Sequence, residues 1–413
     1  MTNRINRPEY MKRLMEYKDK DVVKIVTGIR RCGKSTLLDL FEDHLLVSGV
    51  AKEHIIHMNM ESLRYREITD HISFYEYVCG KIVPEKKNYL IFDELQAVKH
   101  WEKAVESFRI DYDVDIYITG SNAYMLSSEF STLLSGRYVE IRMLPLSFKE
   151  FLSFYEFAPN VHMEHKFQKY LQFGGMPILR QFQFNEARSF EALEGIYNTV
   201  ILRDVLERNK TADQALLHKL VLFLCSNIGG MTSPNNIGNI LTDEGEIQKV
   251  KKKAGKGVAG RTVDKYIQML KHAFVFYSVG RYDIKGKQLL KTLEKNYIID
   301  LGFRNMLLGF RDADRGHILE NIVYLELLRR DYRVYIGKAG DTEVDFVAEK
   351  PSQKLYIQVS ETILPESVRE RELRPLLSIR DNYEKLILSM DKSYITSYEG
   401  IKMLNIIDFL LSE

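Results

Sequence analysis

Gly28, Gly33, Lys34 and Ser35 stand at the spacing G-x-x-x-x-G-K-S/T, in the run Gly28-Ile29-Arg30-Arg31-Cys32-Gly33-Lys34-Ser35-Thr36. Glycines so placed let backbone N–H groups turn inward around phosphate oxygens, and a following helix adds the positive end of its dipole. Lys34 would reach the β- and γ-phosphates of a nucleoside triphosphate, and the Ser35 hydroxyl would ligate Mg²⁺. A second run, Tyr89-Leu90-Ile91-Phe92-Asp93-Glu94, ends an apolar stretch in two carboxylates. Asp93 would hold the Mg²⁺ shell through water, and Glu94 would polarise a water for in-line attack on the γ-phosphate. A small-molecule phosphotransferase needs no water-activating acid at that position. The expected reaction is therefore hydrolysis of ATP with Mg²⁺.

These residues need strands and a helix to hold them. Val22 to Val26 reads as a short β-branched strand before the loop, and Leu37 to Phe41 as a helix after it. In a doubly wound sheet ligands gather at the carboxyl ends of strands, so Asp93 and Glu94 should face the loop. A third strand, Ile116 to Thr119, runs into Gly120-Ser121-Asn122-Ala123. There Ser121 or Asn122 would hydrogen-bond the attacking water or the γ-phosphate. Arg137, at the entrance of the strand Tyr138-Val139-Glu140-Ile141, is a candidate to stabilise transition-state charge, in its own subunit or across an interface.

The ordered set resembles a prokaryotic group of AAA+ ATPases. The matching stretches are Gly28 to Thr36, Phe92-Asp93-Glu94-Leu95-Gln96, Thr119-Gly120-Ser121-Asn122, Leu144 to Phe151 and Gly174-Gly175-Met176-Pro177. The resemblance spans essentially the whole chain and implies a sensor residue at Ser121 or Asn122. It also implies a small helical lid opening at the Gly-Gly-x-Pro turn, from about residue 161, and a C-terminal region of unknown function.

Composition fits a folded, soluble chain. Its 413 residues suffice for two to four domains, with 45% hydrophobic and 28% charged residues. No targeting segment or membrane span is expected; the apolar run Leu220 to Cys225 is far too short. Three cysteines, at 32, 79 and 225, give no disulfide or metal framework, and Cys32 inside the loop suits a reducing cytoplasm. His162 and His165 have H-x-x-H spacing without partner ligands nearby and read as surface residues of the lid.

The net charge of +2 says little about partners, but its distribution says more. Between Lys249 and Lys265 basic residues and glycines interleave, with Asp264 as the lone acid. This stretch feeds a helix in which Val263, Tyr266, Ile267 and Leu270 share a face. Upstream lie an amphipathic helix, Ala215 to Cys225, and a short capped one, Ser233 to Leu241; downstream, Phe274 to Arg281 and Lys287 to Leu293 alternate like a two-stranded wing. Three helices and a wing predict a winged helix on DNA, with Lys251, Lys252, Lys253 and Lys256 on phosphates, Lys265 or Gln268 near bases, and Arg261 among the DNA-binding residues.

Farther on, a helix carries Glu320, and strands carry Asp345 and then Tyr356-Ile357-Gln358-Val359-Ser360. The order resembles the PD-(D/E)xK nuclease core, with Glu320 and Asp345 as metal-binding acids. Gln358 replaces the second acid and Ser360 the lysine. Serine cannot replace a cation beside an attacking water, so an inactive site is expected.

The expected fold class is therefore α/β. Residues 1–160 form a P-loop AAA+ core, 161–210 a helical lid, 211–293 a winged helix and 294–413 a restriction-endonuclease-like domain. The expected function is an ATPase that couples nucleotide state to its C-terminal modules on DNA, with assembly of like subunits on ATP binding left open. The alternatives are a nucleotide-gated protein-binding switch that never touches DNA, and an ATP-dependent nuclease.

Overall fold

The computed structural model describes residues 4, 6–126, 136–207, 209, 212–243, 258–310, 315–392 and 396–412. The chain divides into two compact units, Met1–Pro145 with His272–Phe274, and Leu146–Lys271 with Val275–Glu413. None of the described helices is long and apolar enough to cross a membrane.

The first unit alternates strand and helix: α1 Pro8–Glu16, β1 Val23–Thr27, α2 Lys34–Val47, β2 Ile55–Asn59, α3 His71–Cys79, β3 Asn88–Asp93, α4 Trp101–Asp111, β4 Val114–Gly120 and β5 Tyr138–Arg142. The strands form one parallel sheet in the order β2-β3-β4-β1-β5. β1 and β3 are buried at every position, as strands of a parallel sheet covered on both faces must be. On one face Phe74 of α3 and Phe108 of α4 meet Phe92 of β3, the Phe74 and Phe92 rings lying edge to face at 4.8 Å. On the other, Phe41 of α2 lies 4.3 Å from Tyr117 of β4. Register decides what converges at the carboxyl edge: Phe92 stands opposite Ile118, and Thr27 opposite Gly120. The loop after β1, the acids ending β3 and the turn after β4 therefore share one end of the sheet.

In the second unit α5 Phe148–Phe154, α6 Met163–Phe173, α7 Glu186–Thr199 and α8 Gln214–Ser226 lead to β6 Met231–Thr232, α9 Pro234–Asp243, α10 Gly260–His272, β7 Phe276–Asp283 and β8 Gln288–Ile298. Then follow α11 Leu301–Leu308, α12 Arg315–Arg329, β9 Arg333–Ala339, β10 Thr342–Lys350, β11 Gln353–Val359, α13 Glu366–Leu377, β12 Glu384–Ser389, β13 Ser397–Tyr398, β14 Ile401–Asn405 and α14 Ile406–Leu411. All nine strands make one mixed sheet, β13-β14-β12-β11-β10-β9-β7-β8-β6.

Two features bear on the expected domain boundaries. β8 runs through 293/294, and β7 pairs in parallel with β9, so the hairpin of β7 and β8 and the C-terminal strands are one sheet. The helices from 163 onward are tied to α11. Asn305 donates to the carbonyls of Leu171 and Gln172, both at 2.8 Å, and Arg304 donates to Cys225 O at 3.1 Å. The buried Asp300 carboxylate accepts from the Gly175 and Gly302 amides at 2.6 and 2.8 Å, which fixes the Gly-Gly-x-Pro turn. A Cβ on Gly174 would lie 2.1 Å from that carboxylate, which is why the turn needs a glycine there.

Candidate functional site

The phosphate loop is held from outside as well as by its glycines. Gly33, at φ 109°, forms the N-terminal cap of α2, and a Cβ on Gly28 would lie 2.2 Å from Met143 O. The buried Arg7 guanidinium donates to Cys32 O at 3.3 Å and Leu144 O at 3.0 Å, and lies over the Tyr10 ring. Cys32 is fully buried with its thiol on Met143 O, and burial raises its pKa, so it is a packing residue. Ile29 is buried, Thr36 half-buried, and Arg31 exposed at φ 69°; Arg30 turns to Glu61 at 2.7 Å.

Inside the loop the Lys34 ammonium donates to Gly28 O at 3.0 Å and Ile29 O at 3.3 Å, and lies 3.6 Å from the Glu94 carboxylate. Glu94 occupies a left-handed conformation immediately after β3, φ 54°, which turns it off the strand axis. Burial raises its pKa, but Lys34, the Gln96 amide, Arg30 and Ser121 outweigh that and hold it below the usual carboxylate range. Asp93 is shifted the other way: burial and the charge of Glu94 raise its pKa against hydrogen bonds from Thr119 and Ser35. Asn59 also donates to Asp93, at 2.7 Å. Ser35 and Asp93 thus already meet, and both offer the oxygen ligands that Mg²⁺ takes, so the pair fits that ion together with water and phosphate oxygens.

Ser121 and Asn122 are fully buried at the end of β4. Gln96 bridges the two sides, donating to the Glu94 carboxylate and to Ser121 Oγ at 3.3 Å. Gln96, Asn59, Thr119 and Arg7 escaped the residue-by-residue reading. Gln96 lay in the stretch that carried the resemblance, and Thr119 ended the recognised strand. Arg7 had no local signal at all. Arg137 falls away from the loop of its own chain. β5 runs parallel to β1 with Tyr138 opposite Val23, which puts Arg137 about 20 Å along the strand direction from the loop. It pairs there with Glu106 at 3.5 Å and does not join the site of its own chain.

In the second unit α10 buries Val263, Tyr266, Ile267, Met269 and Leu270 and leaves Arg261 and Lys265 exposed, with Gln268 half-buried. The strands β6, β8 and β7 pair antiparallel in that order. Lys251, Lys252, Lys253 and Lys256 lie outside the described residues.

The C-terminal acids do come together, around a lysine that sequence order did not supply. Lys295 of β8 lies 2.8 Å from Glu343, 3.2 Å from Glu320 and 3.6 Å from Asp345. Burial opposes its charge, but Asp345, Glu320 and Glu343 outweigh that and raise its pKa well above the ordinary range. The expectation of a site without a cation is thereby corrected. Gln358 accepts from the Asp345 amide at 2.7 Å and donates to Glu372 at 2.8 Å, whereas the Ser360 hydroxyl turns to Thr362 O. The ammonium fills the space among the carboxylates. Among the described residues no group of three or more acids, histidines and cysteines is arranged to hold a metal.

Two family models match the chain. The AAA domain family matches residues 20–152, and a domain of unknown function, DUF8612, matches residues 164–314. An uncharacterized protein of Haemophilus influenzae is 38% identical, covering 98% of each chain. An uncharacterized protein of Methanocaldococcus jannaschii is 29% identical, covering 88% of this chain and 78% of its own. Among solved structures, a Walker-type ATPase of Pyrococcus abyssi is similar in fold, with a TM-score of 0.50 at 15% identity; the match covers 73% of this chain and 95% of that one.

Proposed function

The chain belongs to one family with the uncharacterized Haemophilus influenzae protein and carries a match to the AAA domain over residues 20–152, and from that premise we propose that it is an ATPase whose nucleotide state governs its second unit. The observation that carries this reading is the placement of Lys34, poised between loop carbonyls and Glu94. Phosphate oxygens entering the loop offer the ammonium better partners than neutral carbonyls do. As Lys34 turns to them, Glu94 loses its nearest cation and becomes a stronger base for the attacking water. Ser121 and Gln96 orient Glu94, and the neighbouring Asn122 would hold the water or the γ-phosphate. Mg²⁺ at Ser35 and Asp93 would neutralise charge on the β- and γ-phosphates. The test is phosphate release from ATP by the purified protein with Mg²⁺. Turnover that needs Mg²⁺ and disappears in Ser35→Ala supports the reading; no turnover by wild-type protein under any nucleotide would overturn it.

A finer reading puts duplex DNA on α10. Its support is the pattern of that helix, buried on one face and exposing Arg261 and Lys265 on the other. A duplex-binding isotherm that weakens steeply with salt, and less steeply in an Arg261→Gln, Lys265→Gln variant, is the expected result. Salt-independent binding would favour the protein-binding switch instead. The C-terminal carboxylates are proposed not to cleave DNA, because Lys295 stands where a divalent ion would have to sit.

A further inference from the structure

A cleft of about 890 Å³ opens on the second unit between the turn joining β7 to β8, the start of β11 and the segment joining α13 to β12. Its charge is one-sided. Lys285, Lys287, Lys354 and Arg380 line it against a single carboxylate, Asp381. That carboxylate is already engaged, accepting from the Tyr356 hydroxyl at 2.7 Å and the Tyr383 amide at 3.3 Å. Lys354 is engaged as well, paired with Glu349 at 2.7 Å and lying within 5.6 Å of the Tyr282, Tyr356 and Tyr383 rings. Among the described residues Lys285, Lys287 and Arg380 have no carboxylate partner, and all three are exposed. Tyr383 is 53% exposed beside them, with the Lys354 ammonium 5.6 Å from its ring centroid and more than half of the residue open to solvent.

Free cations beside an open tyrosine face match the chemistry of a polynucleotide whose bases are not paired. A duplex offers phosphates but keeps its bases stacked inside. An acidic peptide would satisfy the cations and leave the ring without a partner. We infer that this cleft binds single-stranded nucleic acid, with phosphates on Lys285, Lys287 and Arg380 and a base stacked on Tyr383. No residue of α10 lines this cleft.

The test is fluorescence anisotropy of labelled dT12 and U12 with the full-length protein, titrated from 50 to 200 mM salt. Tyr383→Ala should weaken binding about tenfold, and Tyr383→Phe should retain it, since stacking needs the ring and not the hydroxyl. Replacing Lys285, Lys287 and Arg380 with Gln should reduce the slope of log affinity on log salt by about 2, as three phosphate contacts require on a single strand. Tighter binding of U12 or of dT12 assigns the strand as RNA or DNA. Unchanged affinity in Tyr383→Ala, or competition by polyglutamate as effective as by unlabelled oligonucleotide, overturns the inference. The Arg261→Gln, Lys265→Gln variant serves as a control: it should lose duplex affinity and keep dT12, so failure at either surface is read separately.

Discussion

Lys34 and Lys295 are both buried beside carboxylates, the first 3.6 Å from Glu94, the second 2.8 Å from Glu343 and 3.2 Å from Glu320. Their remaining partners differ. Lys34 is completed by two backbone carbonyls, which phosphate oxygens outcompete. Lys295 is completed by a third carboxylate, Asp345, so removing its ammonium would strand buried negative charge. On the proposed reading the same residue type is a movable ligand contact in one unit and a fixed counter-ion in the other. The number of carboxylates around each decides which.

The comparison can be broken at several points. Lys34→Ala should reduce ATP affinity on the order of 100-fold, because the phosphate charge loses a desolvated cation. Titration with a fluorescent ATP analogue measures it, and wild-type affinity would show that Lys34 is not a phosphate contact. Lys295→Met should leave nucleotide affinity intact but destabilise the second unit by about 3 to 5 kcal/mol, the usual cost of breaking a buried ion pair. Urea unfolding checks this, and an unchanged midpoint would mean that the carboxylates do not need the lysine. In the same preparations neither Mg²⁺ nor Mn²⁺ should yield DNA cleavage. Cleavage that Asp345→Ala abolishes would restore the nuclease alternative.

A pH-dependent effect concerns Asp300, whose burial raises its pKa to about 7 against the hydrogen bonds from Gly175 and Gly302. The unfolded chain loses this proton near its ordinary value of 3.8, whereas the folded chain keeps it to about 7. The group's contribution to stability is therefore complete below 3.8 and is lost as pH rises through the folded value. Relative to Asp300→Asn, the wild-type protein should lose thermal stability between pH 4 and 8. A melting-temperature difference that stays constant over that range would contradict the assignment.

Much of the first unit was legible in sequence, since its chemistry sits at strand ends and each strand announces itself by an apolar run. Gly28 to Ser35, Asp93 and Glu94 needed only the parallel order of the sheet to meet. Arg137, at a strand entrance, lies at the edge of the sheet opposite the loop of its own chain, so only the reading across an interface stays open for it. In the second unit α10 was legible from its buried face. Lys295 was not, because it meets Glu320 and Asp345 only through long-range packing, with Asn321 of α12 bonded to Ile298 of β8, and nothing local in sequence marks it. Gln96 fell between the two cases, in a turn whose polar side chain gains meaning only once Glu94 and Ser121 are seen to flank it.

The account turns on Glu94 acting as the base that Lys34 holds in check. The most direct measurement compares ATP binding and ATP turnover in Glu94→Gln and wild-type protein under the same conditions. Binding should be retained, because the carboxylate touches no phosphate, while turnover should fall by about 100-fold or more, the usual contribution of a positioned base. Turnover at the wild-type rate in Glu94→Gln would contradict the account.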